Sequence, residues 1–214
     1  LTGSGGIIYV WSPSGTLNNP NISNPVANPT ISTSYTVLVT DANGCSNNDS
    51  VVVFVNSLPV VSAGADVSIC LNDSTTLTGS GGTIYIWSPT GALNNPNISN
   101  PVANPTISTT YTLVSTDANT CSNTDTVSVT VMALPSVTTS NDTAICAGDS
   151  AFLGAAGGIS YTWSPSSSLN NSTVSNPVAT PTSTTTYTVS VTNVDGCINS
   201  DTVKVAVNQL PNID

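Results

Sequence analysis

Five cysteines and eleven aspartates are the residues of this 214-residue chain that could form covalent links or hold ions. Cys45, Cys121 and Cys197 stand 76 residues apart, and so do Cys70 and Cys146. Pairing inside each repeat joins Cys70 to Cys121 and Cys146 to Cys197. It leaves Cys45 for a partner outside its module or in another chain. The competing scheme, Cys45 with Cys70 and Cys121 with Cys146, crosses the joints and orphans Cys197. The within-repeat scheme is preferred, because a module of this size is near the lower limit of a self-supporting core and needs an internal staple. Each such loop closure contributes about 4 kcal/mol in the chain-entropy picture. No CxxC spacing and no His accompany the cysteines, so metal ligation by them is not expected. Disulfides imply an oxidising, extracellular or cell-surface setting.

The acids are all Asp, and the one basic side chain is Lys204. Without His, and without an acid placed near a base, general acid–base chemistry has no participants, and no enzyme activity is expected. Asp41-Ala42-Asn43-Gly44 and Asp117-Ala118-Asn119 look like the opening of a calcium loop but lack its closing Glu. Asp66 and Asp142 lie near the joints, where Ca²⁺ would stiffen an array. Hairpin and strand-start turns are the preferred reading of all four, so no cofactor is expected, with Ca²⁺ the single weak candidate. A formal charge of −10 excludes nucleic acid and anionic membranes as partners. No stretch has the apolar length of a membrane span. The chain carries no start Met or sorting signal, and we expect an interior piece of a longer protein. Asn21, Asn48, Asn72, Asn97 and Asn141 fit the N-glycosylation pattern, which chance explains in a chain so rich in Asn and Ser.

These residues must be positioned by a repeat. Tyr9-Val10-Trp11-Ser12-Pro13, Tyr85-Ile86-Trp87-Ser88-Pro89 and Tyr161-Thr162-Trp163-Ser164-Pro165 recur at 76-residue steps and hold every Trp in the chain. In a strand the Tyr and Trp share one face and need a core to cover them. Leu58-Pro59, Leu134-Pro135 and Leu210-Pro211 mark the joints. The expected organisation is a partial module at 1–58 missing its first strand, complete modules at 59–134 and 135–210, and the start of another at 211–214. Within 59–134 the reading is all strand and turn. Val60–Ile69 is broken by Gly64 and followed by strands at 74–78 and 83–87. Next comes an Asn/Pro crossover anchored by Leu93 and Val102, then strands at 111–116 and 126–131. Alternation puts Tyr187, Val189, Val191, Val203, Val205 and Val207 inward. The same phase turns Ile8, Val10, Leu38, Val52 and Phe54 outward in the first module, and Ile84, Ile86 and Val114 outward in the second. Side chains of that kind on one sheet form an apolar patch that marks an interface, unless a loop or glycan covers it. The expected fold is all-β, a tandem of β-sandwich modules.

The strings Cys70-Leu71-Asn72-Asp73-Ser74, Tyr85-Ile86-Trp87-Ser88-Pro89, Ser99-Asn100-Pro101-Val102-Ala103-Asn104-Pro105-Thr106, Thr110-Tyr111-Thr112-Leu113 and Asp125-Thr126-Val127-Ser128-Val129-Thr130-Val131 resemble the PKD-like, immunoglobulin-like repeats of long secreted Bacteroidota surface proteins. The resemblance spans the chain. It implies seven-stranded sandwiches, type IX export, and a role in surface fibres, filaments or adhesin stalks. Tyr35, Tyr111 and Tyr187 would then take the position that opens the penultimate strand. The family also implies O-glycans at Asp-Ser/Thr triplets, here at Ser50, Ser74, Thr126, Thr143, Ser150 and Thr202. The alternative is that Asp-Ser/Thr caps the turns that start strands. The expected function is a disulfide-stapled structural segment whose partners are neighbouring modules or other copies, with surface glycans as a further partner. The alternative is an adhesion module binding carbohydrate or protein on loops 14–30, 90–106 and 166–182.

Overall fold

A computed structural model describes residues 1–211, and every regular element among them is a strand. The predicted module start at 211–214 therefore lies, but for Pro211, outside the described residues. The 76-residue stretches build three hydrogen-bonded sheets of related order. In the first, β1 (Ile8–Ser12), β2 (Thr33–Thr40) and β3 (Ser46–Val53) lie side by side, all antiparallel. In the second, β4 (Val67–Cys70), β9 (Ser122–Met132), β8 (Thr109–Thr116) and β6 (Ile84–Ser88) follow in that order, with β5 (Thr75–Thr76) and β7 (Val102–Ala103) as a separate pair. The third stretch contains β10 (Thr138–Thr139), β11 (Thr143–Cys146), β12 (Ala151–Phe152), β13 (Ala155–Ala156), β14 (Ser160–Ser164), β15 (Val178–Ala179), β16 (Thr185–Thr192) and β17 (Ile198–Asn208). Its main sheet runs β11-β17-β16-β14, opposed by the pairs β10-β13 and β12-β15.

The first strand of each complete stretch is split between two sheets. Residue Ser62 bridges Ser80 before Gly64, and β4 then runs parallel to β9. Gly64 makes the switch with a φ of 88°, a conformation that favours glycine. Gly81 and Gly157 solve a second problem, since a Cβ there would meet the Val60 and Ser136 carbonyls at 2.2 and 2.1 Å. A parallel first-to-last pairing, with the first half-strand on the opposite sheet, is the order of an immunoglobulin-like β-sandwich.

Cores form where alternation predicts. Trp163, Tyr187, Val189, Val191, Val203 and Val205 are buried together, with Leu169 and Ile145 packed against them. Trp11, Tyr35 and Val37 form the corresponding cluster of the first stretch. The aromatic pin is fixed by hydrogen bonds as well as packing. The indole N–H of Trp11, Trp87 and Trp163 donates to the carbonyls of Ile22, Ile98 and Val174, each at 3.0 Å. The crossover anchor differs from the expected one: Ala103, not Val102, is buried, because the Leu93–Ala103 bridge turns that side chain inward.

Compactness does not follow the 76-residue period. One unit comprises Leu1–Val61 with Gly81–Ile84 and Ser115–Asn123. The other comprises Ser62–Ser80, Tyr85–Val114 and the residues from Thr124 on.

Candidate functional site

The cysteines are joined differently from either sequence-based scheme. Cys70 bonds Cys197, 127 residues away, while Cys45, Cys121 and Cys146 are free thiols. The expected Cys70–Cys121 and Cys146–Cys197 pairs are thereby overturned, and the reason is the direction of the first strand. Running parallel to β9, β4 brings Cys70 beside Met132, at the far end of that strand. Cys121 precedes Ser122, where β9 begins. Eleven residues of strand separate the two ends, about 35 Å at the usual rise. A disulfide needs its Cα atoms within about 7 Å, and those of Cys70 and Cys197 are 5.6 Å apart. Cys146 beside Asn208 and Cys197 ahead of Ile198 are kept apart in the same way. The bridge therefore ties the end of β4 to the hairpin loop between β16 and β17, with Cys197 fully buried.

The hairpin loops that carry the second cysteine of each repeat are organised by an Asx turn. Asp41 Oδ1 accepts the N–H groups of Asn43 and Cys45, and Asp117 Oδ1 those of Asn119 and Cys121. Asn193 does the same for Asp195 and Cys197. The Cys45 and Asn43 N–H groups hold the Asp41 carboxyl below the ordinary aspartate range. An amide performs this role as well as a carboxylate, so the arrangement is a turn device. Asp66 Oδ1 accepts the Ser128 N–H and Asp142 Oδ1 the Lys204 N–H, tying first strand to last. Among the described residues no three His, Cys, Asp or Glu side chains converge on one point.

The Asn/Pro loops are braced internally by their own asparagines. Asn18, Asn94 and Asn170 accept through Oδ1 the N–H of Val26, Val102 and Val178, each at 2.8 Å. Asn19, Asn95 and Asn171 accept from Asn21, Asn97 and Thr173. Sequence reasoning treated these asparagines as loop composition. Their recurrence at the repeat period was the available signal that they close a fixed turn.

Ser50, Ser74, Thr126, Thr143, Ser150 and Thr202 are all exposed. The neighbouring aspartates are engaged at four of these sites: Asp49 and Asp201 accept the N–H of Ser50 and Thr202, Asp125 that of Ala63 and Asp142 that of Lys204. The outward apolar residues are exposed as well, apart from half-buried Val114. On β1–β3 they do not form one patch. Val10 lies opposite Leu38 with Ile8 alongside, whereas Val52 lies opposite Ser34, and the hydroxyl row Ser12, Thr36 and Ser50 runs between. Phe54 lies beyond the end of β3. Ile84 and Ile86 are exposed on β6.

Strand order and core together define the class, an all-β chain of immunoglobulin-like sandwich architecture. Solved structures similar to it include the I9–I11 tandem from titin, 13% identical over 97% of this chain and 90% of that one, with a TM-score of 0.41. The insect immune protein hemolin is 15% identical over 94% of this chain and 67% of that one, with a TM-score of 0.37. DIP-gamma IG1+IG2 is 13% identical over 71% and 98%, with a TM-score of 0.34. No family model and no curated protein matches the chain in sequence.

Proposed function

We propose that the chain is a structural segment of an extracellular fibre or cell-surface adhesin stalk, built from modules at 1–58, 59–134 and 135–210 of the PKD-like type found in secreted Bacteroidota proteins. The observation that carries this reading is the use of the loop asparagines. In all three repeats the Oδ1 atoms that a ligand-binding loop would present are spent on the loop's own backbone. The joints repeat too, with the Asn123 and Asn199 side chains donating to the Pro59 and Pro135 carbonyls at 3.0 and 3.1 Å. Repeated joints and short linkers suit a rod. The exposed hydroxyls of Ser50, Ser74, Thr126, Thr143, Ser150 and Thr202 are accessible to O-glycosylation, which would keep a surface with so little charge soluble. Ile8, Val10 and Leu38 supply a lateral contact with neighbouring copies or modules. Electron microscopy of native material, joined with intact mass, tests the reading. Fibres with a spacing set by whole modules and mass added at those hydroxyls are expected. Globular particles of unmodified mass would overturn it.

A further inference from the structure

The Cys70–Cys197 bridge spans the joint between the second and third repeats, and hydrogen bonds converge on the same place. Cys70 ends β4 beside Met132. The next residue, Leu71, donates its N–H to the Met132 carbonyl at 2.9 Å. From the other side Asn193, in the hairpin loop that leads to Cys197, donates through Nδ2 to the Ala133 carbonyl at 2.9 Å. The Asn199 side chain, just inside β17, donates to the Pro135 carbonyl at 3.1 Å. All of these residues belong to the second compact unit. Between the two cysteines the chain therefore has two covalent routes. One is the S–S bond, whose Cα atoms are 5.6 Å apart, and the other is the loop of residues 71–196.

Tension divides unequally between the two routes. A pull applied before residue 70 and after residue 197 draws the short route taut and leaves the long one slack. The long route holds β5–β9, the joint and β10–β16. The short route holds β4 and β17, each loaded from end to end, since Cys70 is the last residue of β4 and β17 starts one residue after Cys197. A strand rises about 3.3 Å per residue, close to the length of a fully extended chain, so neither strand has length to give. Cys197 is fully buried, whereas Cys70 is half-buried. Exchange needs a thiolate to reach one sulfur, and access selects that of Cys70. The departing Cys197 thiolate then forms in a poorly solvated place, which keeps the bridge slow to open while the hairpin is packed.

We infer that the Cys70–Cys197 bridge is a redox-opened load path. Tension passes from β4 through the two sulfurs into β17, and residues 71–196 stay out of the line of force until a small-molecule dithiol opens the bond at Cys70. In the opening step a thiolate of the dithiol attacks the Cys70 sulfur and a new S–S bond forms. The Cys70–Cys197 bond breaks, and Cys197 leaves with the electron pair and takes up a proton. The second thiol of the reagent then loses its proton, closes the reagent into a cyclic disulfide and releases Cys70. The bridge gains two electrons and two protons, and the dithiol loses them. The loop set free is about 440 Å of chain when stretched. This deepens the stalk reading and rests on it for its use. A chain that forms no fibre still carries load through the bridge, so the two readings fail in different experiments.

The test is single-molecule stretching of the intact chain, held by peptide tags at its two ends with the three free thiols alkylated beforehand. Without reductant the parent chain should reach a stretched length about 440 Å shorter than that of the Cys70→Ser chain. The missing length should appear only after dithiothreitol is added. Fully stretched lengths are compared, so the variant need not fold. Equal lengths without reductant, or no gain after dithiothreitol, would overturn the load path. Brief exposure of the unstretched chain to a monothiol, followed by acid quenching and peptide mapping, reads the site of opening. The adduct should stand on Cys70 at about tenfold or more over Cys197, because only the Cys70 sulfur is accessible. Equal adducts on the two cysteines would overturn opening at Cys70.

Discussion

Tyr35, Tyr111 and Tyr187 occupy one position in three repeats, and their hydroxyls meet different fates. Tyr35 Oη bonds Thr16 Oγ1, and Tyr187 Oη bonds Ser168 Oγ at 2.6 Å. Tyr111 Oη is buried without a partner, because the equivalent residue is Ala92. Burial pushes the Tyr111 phenol upward in pKa, as expected where the charged form is desolvated. A buried hydroxyl left unpaired costs about 1–3 kcal/mol, and a made bond returns about 1 kcal/mol. Ala92→Ser should therefore stabilise the second repeat by about 1 kcal/mol. Tyr111→Phe should be close to neutral, while Tyr187→Phe should cost about 1 kcal/mol. Hydrogen exchange at β8 and β16 reads the two repeats separately. Equal losses for the two Phe variants would refute the account. The residue behind this contrast was visible in the sequence as a break in the repeat, but its partner was not, because contact across a crossover cannot be read from spacing.

At the scale of elements, the split first strand is held to the last strand by carboxylates. Asp125 is kept below the ordinary aspartate range by the Ala63 N–H and then the Thr126 N–H. Asp201 is kept low by the Thr139 hydroxyl and then the Thr202 N–H. A depressed folded-state pKa contributes stability that is fully present above the unfolded value, about 4, and is lost as pH falls through the folded value. The attachment of β10 and of the segment around Ala63 should therefore weaken below about pH 4. Asp125→Asn with Asp201→Asn should lower stability at neutral pH and flatten the acid limb. Denaturation midpoints at pH 7 and pH 3 measure both, and an acid limb identical to that of the parent chain would remove the carboxylates from the explanation. The strands themselves were legible because period-two alternation in Tyr187–Val191 and Val203–Val207 leaves one face for the core. The carboxylate ties were less so. Asp125 and Asp201 sit in triplets that read equally well as glycan acceptors or strand-start caps, and only the neighbouring strand decides which atoms the carboxylate reaches.

For the whole molecule, the direction of one short strand decides the covalent topology. The within-repeat bridges expected from spacing counted residues along the chain and ignored that a first strand parallel to the last must end far from the hairpin preceding it. Both ingredients, a strand closing at Cys70 and a hairpin holding Cys121, were available from sequence. The parallel register that keeps them about 35 Å apart was not. With Cys70 joined to Cys197, the bridge spans 127 residues, and it couples the sandwich that contains β4 to the hairpin between β16 and β17. Closing so long a loop contributes about 5 kcal/mol in the chain-entropy picture. That contribution belongs to the two sandwiches jointly, whereas a within-repeat staple would belong to one. Cys197→Ser should accordingly destabilise both repeats together, seen as faster hydrogen exchange in β4 as well as in β16 and β17. Cys121→Ser should leave β4 protection unchanged, since no bridge to Cys70 is lost. The two cysteine schemes predict opposite results for that pair of variants. Non-reducing digestion should also return a peptide joining residues 70 and 197, and recovery of a 70–121 peptide instead would restore the within-repeat topology and remove the basis for a linked array.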